Sequence, residues 1–84
     1  MDTLVKPSPV VMSSKAIDVK VTKEELIIYL EDGRTLSAPL EWFPRLRDAG
    51  MQELTKWELI GGGIGIHWEE LDEDLSVKGL LEVE

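Results

Sequence analysis

The chain has no cysteine, a single histidine and only five aromatic residues among 84. Without cysteine the fold cannot be held by disulfides, and thiolate zinc sites and thiol redox chemistry are excluded. A lone His67 excludes every site built on two imidazoles. No apolar run reaches the roughly 18 residues of a membrane span. The first residues, Met1-Asp2-Thr3-Leu4-Val5-Lys6, carry neither a basic start before a long apolar stretch nor a small-residue cleavage site, so no secretory signal is read and a cytoplasmic location is expected.

What is present bounds the rest. Hydrophobic residues make up 43% and charged residues 31% of the chain, ordinary values for a globular domain and incompatible with disorder throughout. At 84 residues there is one domain, burying only about 60% of its unfolded surface. The net charge is −8. Residues 69–84 hold Glu69, Glu70, Asp72, Glu73, Asp74, Glu82 and Glu84 against Lys78, so most of the acidity sits at the carboxyl end. Phosphate backbones repel such a surface, and direct nucleic-acid binding is not expected.

Residues 1–14, with two prolines and three serines, read as a flexible N-terminal segment with a short ordered piece at Val10-Val11-Met12. Residues 15–84 read as a single α+β domain. Ile17, Val19 and Val21 alternate with polar residues, the pattern of a strand with one buried face. In Leu26-Ile27-Ile28-Tyr29-Leu30 both alternating sets are apolar, which places that strand centrally. Asp32-Gly33 before Arg34-Thr35-Leu36-Ser37-Ala38 predicts a two-residue hairpin turn with positive φ at both central positions.

Pro44 suits a first helical turn and Gly50 the position past the last, so a short helix is expected over 44–49, with Phe43, Leu46 and Ala49 or Gly50 on one side. A second helical turn is expected over 51–56. Strands over 57–60 and 64–68 flank Gly61-Gly62-Gly63. Ile64, Ile66 and Trp68 would then face the core, leaving His67 on the other face. Ser76 can cap a last helix over 77–82 that docks Leu80 and Leu81. The expected fold is a small, mostly antiparallel sheet of four to five strands, in the order β-β-β-α-β-β-α, with two short helices.

The glycines do not make a nucleotide site. A dinucleotide fingerprint needs a third glycine opening a helix, and here Gly63-Ile64-Gly65-Ile66-His67 leads into Trp68 and a strand. No Lys followed by Ser or Thr stands after the last glycine, so there is no P-loop. A turn demanding positive φ accounts for the triplet. The acids Asp72 and Asp74 with Ser76 imitate a calcium loop, but Val77 stands where its glycine belongs and Val83 where its bidentate glutamate belongs. A solvated charged connector is the reading adopted for this run.

His67 has no serine at a spacing that suggests a triad, Ser37 and Ser76 included, so no catalytic residue, cofactor or metal is assigned and no enzyme is expected. The alternative reading makes His67, Asp72 and Asp74 a small-ligand or cation-sensing site. The aromatics say more. Trp42, Phe43, Trp57 and Trp68 are large side chains for so small a core. Trp42 and Phe43 are adjacent, so both are not expected to be buried, and Arg45 and Arg47 follow at once. An exposed aromatic beside arginine has the composition of a protein-binding hot spot.

Leu30 to Arg34, Pro39 to Leu46, Trp57 to Trp68 with its glycine turn and His-Trp pair, and Leu71 to Leu81 with its Asp-Glu-Asp-Leu-Ser-Val segment resemble the small bacterial family called domain of unknown function 2442. The likeness spans about residues 15–82 and is most specific in the last third. Glu69 stands where the family pattern leads one to expect proline. The resemblance implies a compact α+β domain with no established activity, in a family often encoded beside another small protein, as in toxin–antitoxin pairs. Some relatives resemble fusions to a helix-turn-helix module. The chain ends at Glu84 without one, so DNA binding is expected only through a partner.

The functional expectation is a non-enzymatic protein-interaction module, antitoxin-like or accessory, that takes a second small, basic protein. Its expected partner-binding residues are Trp42, Phe43, Arg45, Arg47, Glu69, Glu70, Asp72, Glu73 and Asp74.

Overall fold

The structure is a computed structural model that describes residues 13–82. The expected flexible segment over 1–14, with its ordered piece at 10–12, lies outside these residues except for Ser13 and Ser14. Three strands form the first sheet: β1 (Ala16–Val21), β2 (Glu25–Leu30) and β3 (Thr35–Pro39), all antiparallel with β2 in the middle. The double apolar alternation of β2 follows from that position. Leu26, Ile28 and Leu30 are buried, while Ile27 and Tyr29 are half-covered on the other face.

β1 departs from simple alternation. Its register against β2 steps from Ala16–Leu30 to Asp18–Tyr29, so Ile17 is the extra residue of a bulge. The Asp18 carboxylate accepts the Val19 N–H there at 2.8 Å. Ile17 is therefore turned out, 62% exposed, and Ala16 takes the core position that Ile17 was expected to fill. The β2–β3 hairpin forms as expected, with a different turn. Gly33 donates to the Leu30 carbonyl and Leu30 to the Arg34 carbonyl, and of the Asp32-Gly33 pair only Gly33 has positive φ. The Asp32 side chain accepts the Arg34 N–H, which supplies the rest of the turn.

After Pro39 a 3-10 turn over Leu40–Trp42 leads into α1 (Pro44–Arg47) and α2 (Met51–Leu54). Pro44 starts α1, as its fixed φ and missing N–H favour. Leu46 is wholly buried, with Phe43 and Ala49 packed beside it on the core. Gly50 serves as the cap that opens α2, its N–H donating to the Glu53 carboxylate at 3.0 Å.

The second half forms a separate antiparallel sheet of β4 (Trp57–Ile60), β5 (Gly65–Trp68) and β6 (Glu73–Ser76), with β5 in the middle. The expected single sheet of four to five strands with two helices is thus two sheets of three strands with three short helices. The helical stretch between Leu40 and Leu54 turns the chain away from the edge of β3, so the ladder does not continue into β4. The run read as a solvated connector is strand β6. Asp72 reverses the chain in the left-handed conformation (φ 51°), and Glu73-Asp74-Leu75-Ser76 then alternates along β5. Ser76 caps α3 (Val77–Leu81) by accepting the Gly79 N–H, as expected.

Gly61, Gly62 and Gly63 all have positive φ, which is the turn their sequence predicts. Ile64 belongs to that turn and is 55% exposed, where a core position was expected; pairing begins at Gly65, opposite Ile60. One core joins both sheets: Val19, Leu26, Ile28 and Leu30 pack in the same cluster as Leu46, Leu54, Ile66, Trp68, Val77 and Leu80. The Trp68 ring is fully buried, and its indole N–H donates to the Leu54 carbonyl at 3.0 Å. Among the described residues no helix is long and apolar enough to cross a membrane.

Candidate functional site

β5 presents Ile66 and Trp68 to the core, so His67 must lie on the opposite face. The register of the sheet then decides its company. Glu58 on β4 stands across from His67 on one side, and Asp74 on β6 stands across from it on the other. Glu69, two residues beyond His67, begins a 3-10 turn over Glu69–Leu71. The result is a row of side chains across all three strands, with the imidazole in the middle.

Both ring nitrogens are engaged. Nδ1 meets the Asp74 carboxylate, and Nε2 lies 2.9 Å from Glu69 Oε1. These two carboxylates, Asp74 first and then Glu69, favour the imidazolium and raise the His67 pKa above its ordinary value of 6.5. Glu58, His67 and Glu69 each bring one potential ligand atom, and these atoms lie within 4.8 Å of one another. Asp72, expected to join His67, lies instead at the turn into β6, where its carbonyl accepts from Arg45.

Arg45 organises a second group. Its guanidinium donates to the carbonyls of Leu71 (3.1 Å) and Asp72 (3.4 Å) and lies 4.0 Å from the Glu73 carboxylate. α1 is in this way fastened to the turn before β6. Trp42 stands 51% exposed, while Phe43, expected beside it among the partner-binding residues, is partly buried and packs against the core. Arg47 pairs with its neighbour Asp48, and Glu70 with Lys56 at 3.0 Å, all on the surface.

Apart from Glu70, which pairs with Lys56, the residues singled out from the sequence therefore fall into two groups. Arg45 brings the Trp42–Arg47 segment to Leu71, Asp72 and Glu73. His67 collects Glu69 and Asp74. Glu58 was missed. Its signal lay in the hairpin itself, since a turn closing on Ile60 and Gly65 puts Glu58 opposite His67 by counting back along both strands.

The family model for a protein of unknown function, DUF2442, matches residues 16–84, which spans both sheets and both groups of side chains. The chain belongs to this family. The DUF2442 fold described above is similar to a crystal structure of a protein of unknown function from Rhodospirillum rubrum ATCC 11170. The two are 35% identical, the TM-score is 0.71, and the likeness covers 80% of this chain and 83% of that one. No curated protein matches the chain.

Proposed function

We propose that this DUF2442 domain is a non-enzymatic protein-interaction module of the bacterial cytoplasm, the antitoxin-like or accessory subunit of a small two-protein system, and that its partner is a second small, basic protein. The observation that carries this reading is the Arg45 bridge. By bonding to Leu71 and Asp72 and lying beside Glu73, Arg45 ties the segment that bears the exposed Trp42 to an acidic turn far from it in the sequence.

The two features have different work to do on such a face. An exposed Trp offers a large, rigid apolar surface whose desolvation supplies binding energy. The carboxylates at the rim are screened by water and salt, so they set encounter rate and the choice of a basic partner more than final affinity. Nucleic acid is disfavoured by the same charge.

The test is a pull-down with the tagged chain at low and at high salt, with captured proteins identified by mass spectrometry. Trp42→Ala is expected to lose the partner at both salts. Neutralising Glu69, Glu70, Asp72, Glu73 and Asp74 together is expected to weaken capture most at low salt. A partner retained equally by both variants overturns the proposal.

A further inference from the structure

The row across the second sheet has a charge problem that the interaction face does not explain. Glu58, Glu69 and Asp74 surround one imidazole, and among the described residues no Lys or Arg side chain pairs with any of the three; Arg45 and Lys56 are taken by Glu73 and Glu70. Even a protonated His67 offsets only one of three negative charges. Elsewhere Asp32 and Asp48 each have an arginine within 3.0 Å. Among the described residues, what sets this group apart from the other unpaired acids is a histidine and two carboxylates whose ligand atoms lie within 4.8 Å of one another.

Its geometry says what kind of cation fits. Asp74 occupies Nδ1 and Glu69 lies at Nε2, with a Glu58 carboxylate oxygen within 4.8 Å of a ring nitrogen and of a Glu69 oxygen. A carboxylate behind one ring nitrogen and a ligand position in front of the other is the usual support of a metal-bound histidine. The three candidate donors stand within 4.8 Å of one another. Ligand atoms around a tetrahedral zinc ion lie roughly 3 Å apart, given bonds of about 2 Å. The Glu58 and Glu69 side chains are exposed, so rotamer changes at the surface can close that difference without moving the backbone.

We infer that Glu58, His67 Nε2 and Glu69 form a binding site for a divalent transition-metal ion such as Zn²⁺, with Asp74 as the positioning residue behind His67. A nitrogen ligand beside two carboxylates favours zinc over magnesium or calcium, which prefer oxygen alone. Three protein ligands leave a fourth position for water or for a partner's side chain. This site differs from the His67, Asp72 and Asp74 set that the sequence suggested, because the pairing of β4 with β5 brings in Glu58 and the left-handed turn carries Asp72 away.

The full chain, stripped with EDTA, is titrated with Zn²⁺ and followed by calorimetry and by NMR of the ¹⁵N-labelled His67 ring. One Zn²⁺ per chain is expected, with the Nε2 resonance moving and the Nδ1 resonance still that of a protonated nitrogen. Glu58→Gln and Glu69→Gln are each expected to weaken binding at least about tenfold, and Asp74→Asn by about 10- to 100-fold. Glu70→Gln, on the neighbouring ion pair, should leave it within about twofold. Circular dichroism checks that each exposed substitution leaves the fold intact. Ring resonances unmoved by millimolar Zn²⁺, equal affinity in the Glu58 and Glu69 variants, or an equal response to Mg²⁺ would each overturn the assignment. The Trp42→Ala pull-down, run in EDTA, changes none of the groups in this site, so the two proposals fail separately.

Discussion

The Ala16 N–H donates to the Gly63 carbonyl at 2.8 Å, and this bond joins the bulged start of β1 to the glycine turn of the other sheet. The two backbones are so close that a Cβ on Gly63 would meet the Ala16 N at 3.0 Å and press still closer on its carbonyl oxygen. Gly62 has positive φ as well, yet a Cβ there meets nothing within 4 Å. The pair separates two costs. Gly62→Ala carries backbone strain alone, about 1 kcal/mol. Gly63→Ala adds a backbone clash that parts the sheets and is expected to cost on the order of 3 kcal/mol in all. Urea unfolding of the two variants measures the difference directly.

Trp68 is fully buried, and its indole N–H serves the carbonyl at the end of α2. Trp68→Phe removes that donor and part of the ring together, so the Leu54 carbonyl loses its partner in a dry site. The expected loss is on the order of 2 kcal/mol. Trp57→Phe, on a partly buried ring of β4, is expected to cost less than half as much. Thermal unfolding with both variants side by side checks the ranking.

How much of this was legible beforehand differs by element. β2 could be read because apolar residues on both faces leave a strand no position but the centre, and α3 because Ser76 stands at the one place where its hydroxyl can accept a helical N–H. The glycine triplet could be read because no other residue adopts positive φ three times in succession at small cost. β6 could not. Its side chains, Glu73-Asp74-Leu75-Ser76, have a polar composition that propensity assigns to loops, and only the vacant edge of β5 makes them a strand. The bulge at Ile17 was equally hidden, since an extra residue in one strand shows only in the register against its neighbour. The same holds for the site: His67 was visible as a lone imidazole facing outward, but Glu58 joins it through pairing across the hairpin.

The His67 imidazole has acids facing it from every neighbouring element: Glu58 on β4, Asp74 on β6 and Glu69 in the turn beyond β5. In metal-free protein its pKa is raised, led by Asp74 and then Glu69. A raised folded value means that the folded state holds the proton more tightly than the unfolded chain does. The stabilisation is therefore complete below the ordinary value of 6.5 and is lost as pH climbs through the folded value. An NMR titration of the ring in EDTA is expected to give a midpoint above 6.5, and Asp74→Asn a lower one than the parent chain. A midpoint unmoved by Asp74→Asn would contradict the contact.

Asp32, in the β2–β3 turn of the first sheet, gives the opposite sign. Its carboxylate accepts the Ser13 N–H at 2.9 Å, the Arg34 N–H at 3.1 Å and the Arg34 Nε at 2.9 Å, fastening the β2–β3 turn to the residues ahead of β1. These donors, the Ser13 N–H foremost, hold its pKa below the ordinary 3.8. A depressed folded value means that the stabilisation is present above the unfolded pKa and is lost as pH falls through the folded one. Stability of the parent chain should therefore drop further on acidification through this range than that of Asp32→Asn, which has no carboxylate to protonate. Because Asn keeps an acceptor oxygen, the hairpin is expected to survive the substitution, with amide exchange at Ser13 and Arg34 accelerated. Urea midpoints for both chains across the acid range, together with exchange rates at those two amides, test the bond network and the sign at once.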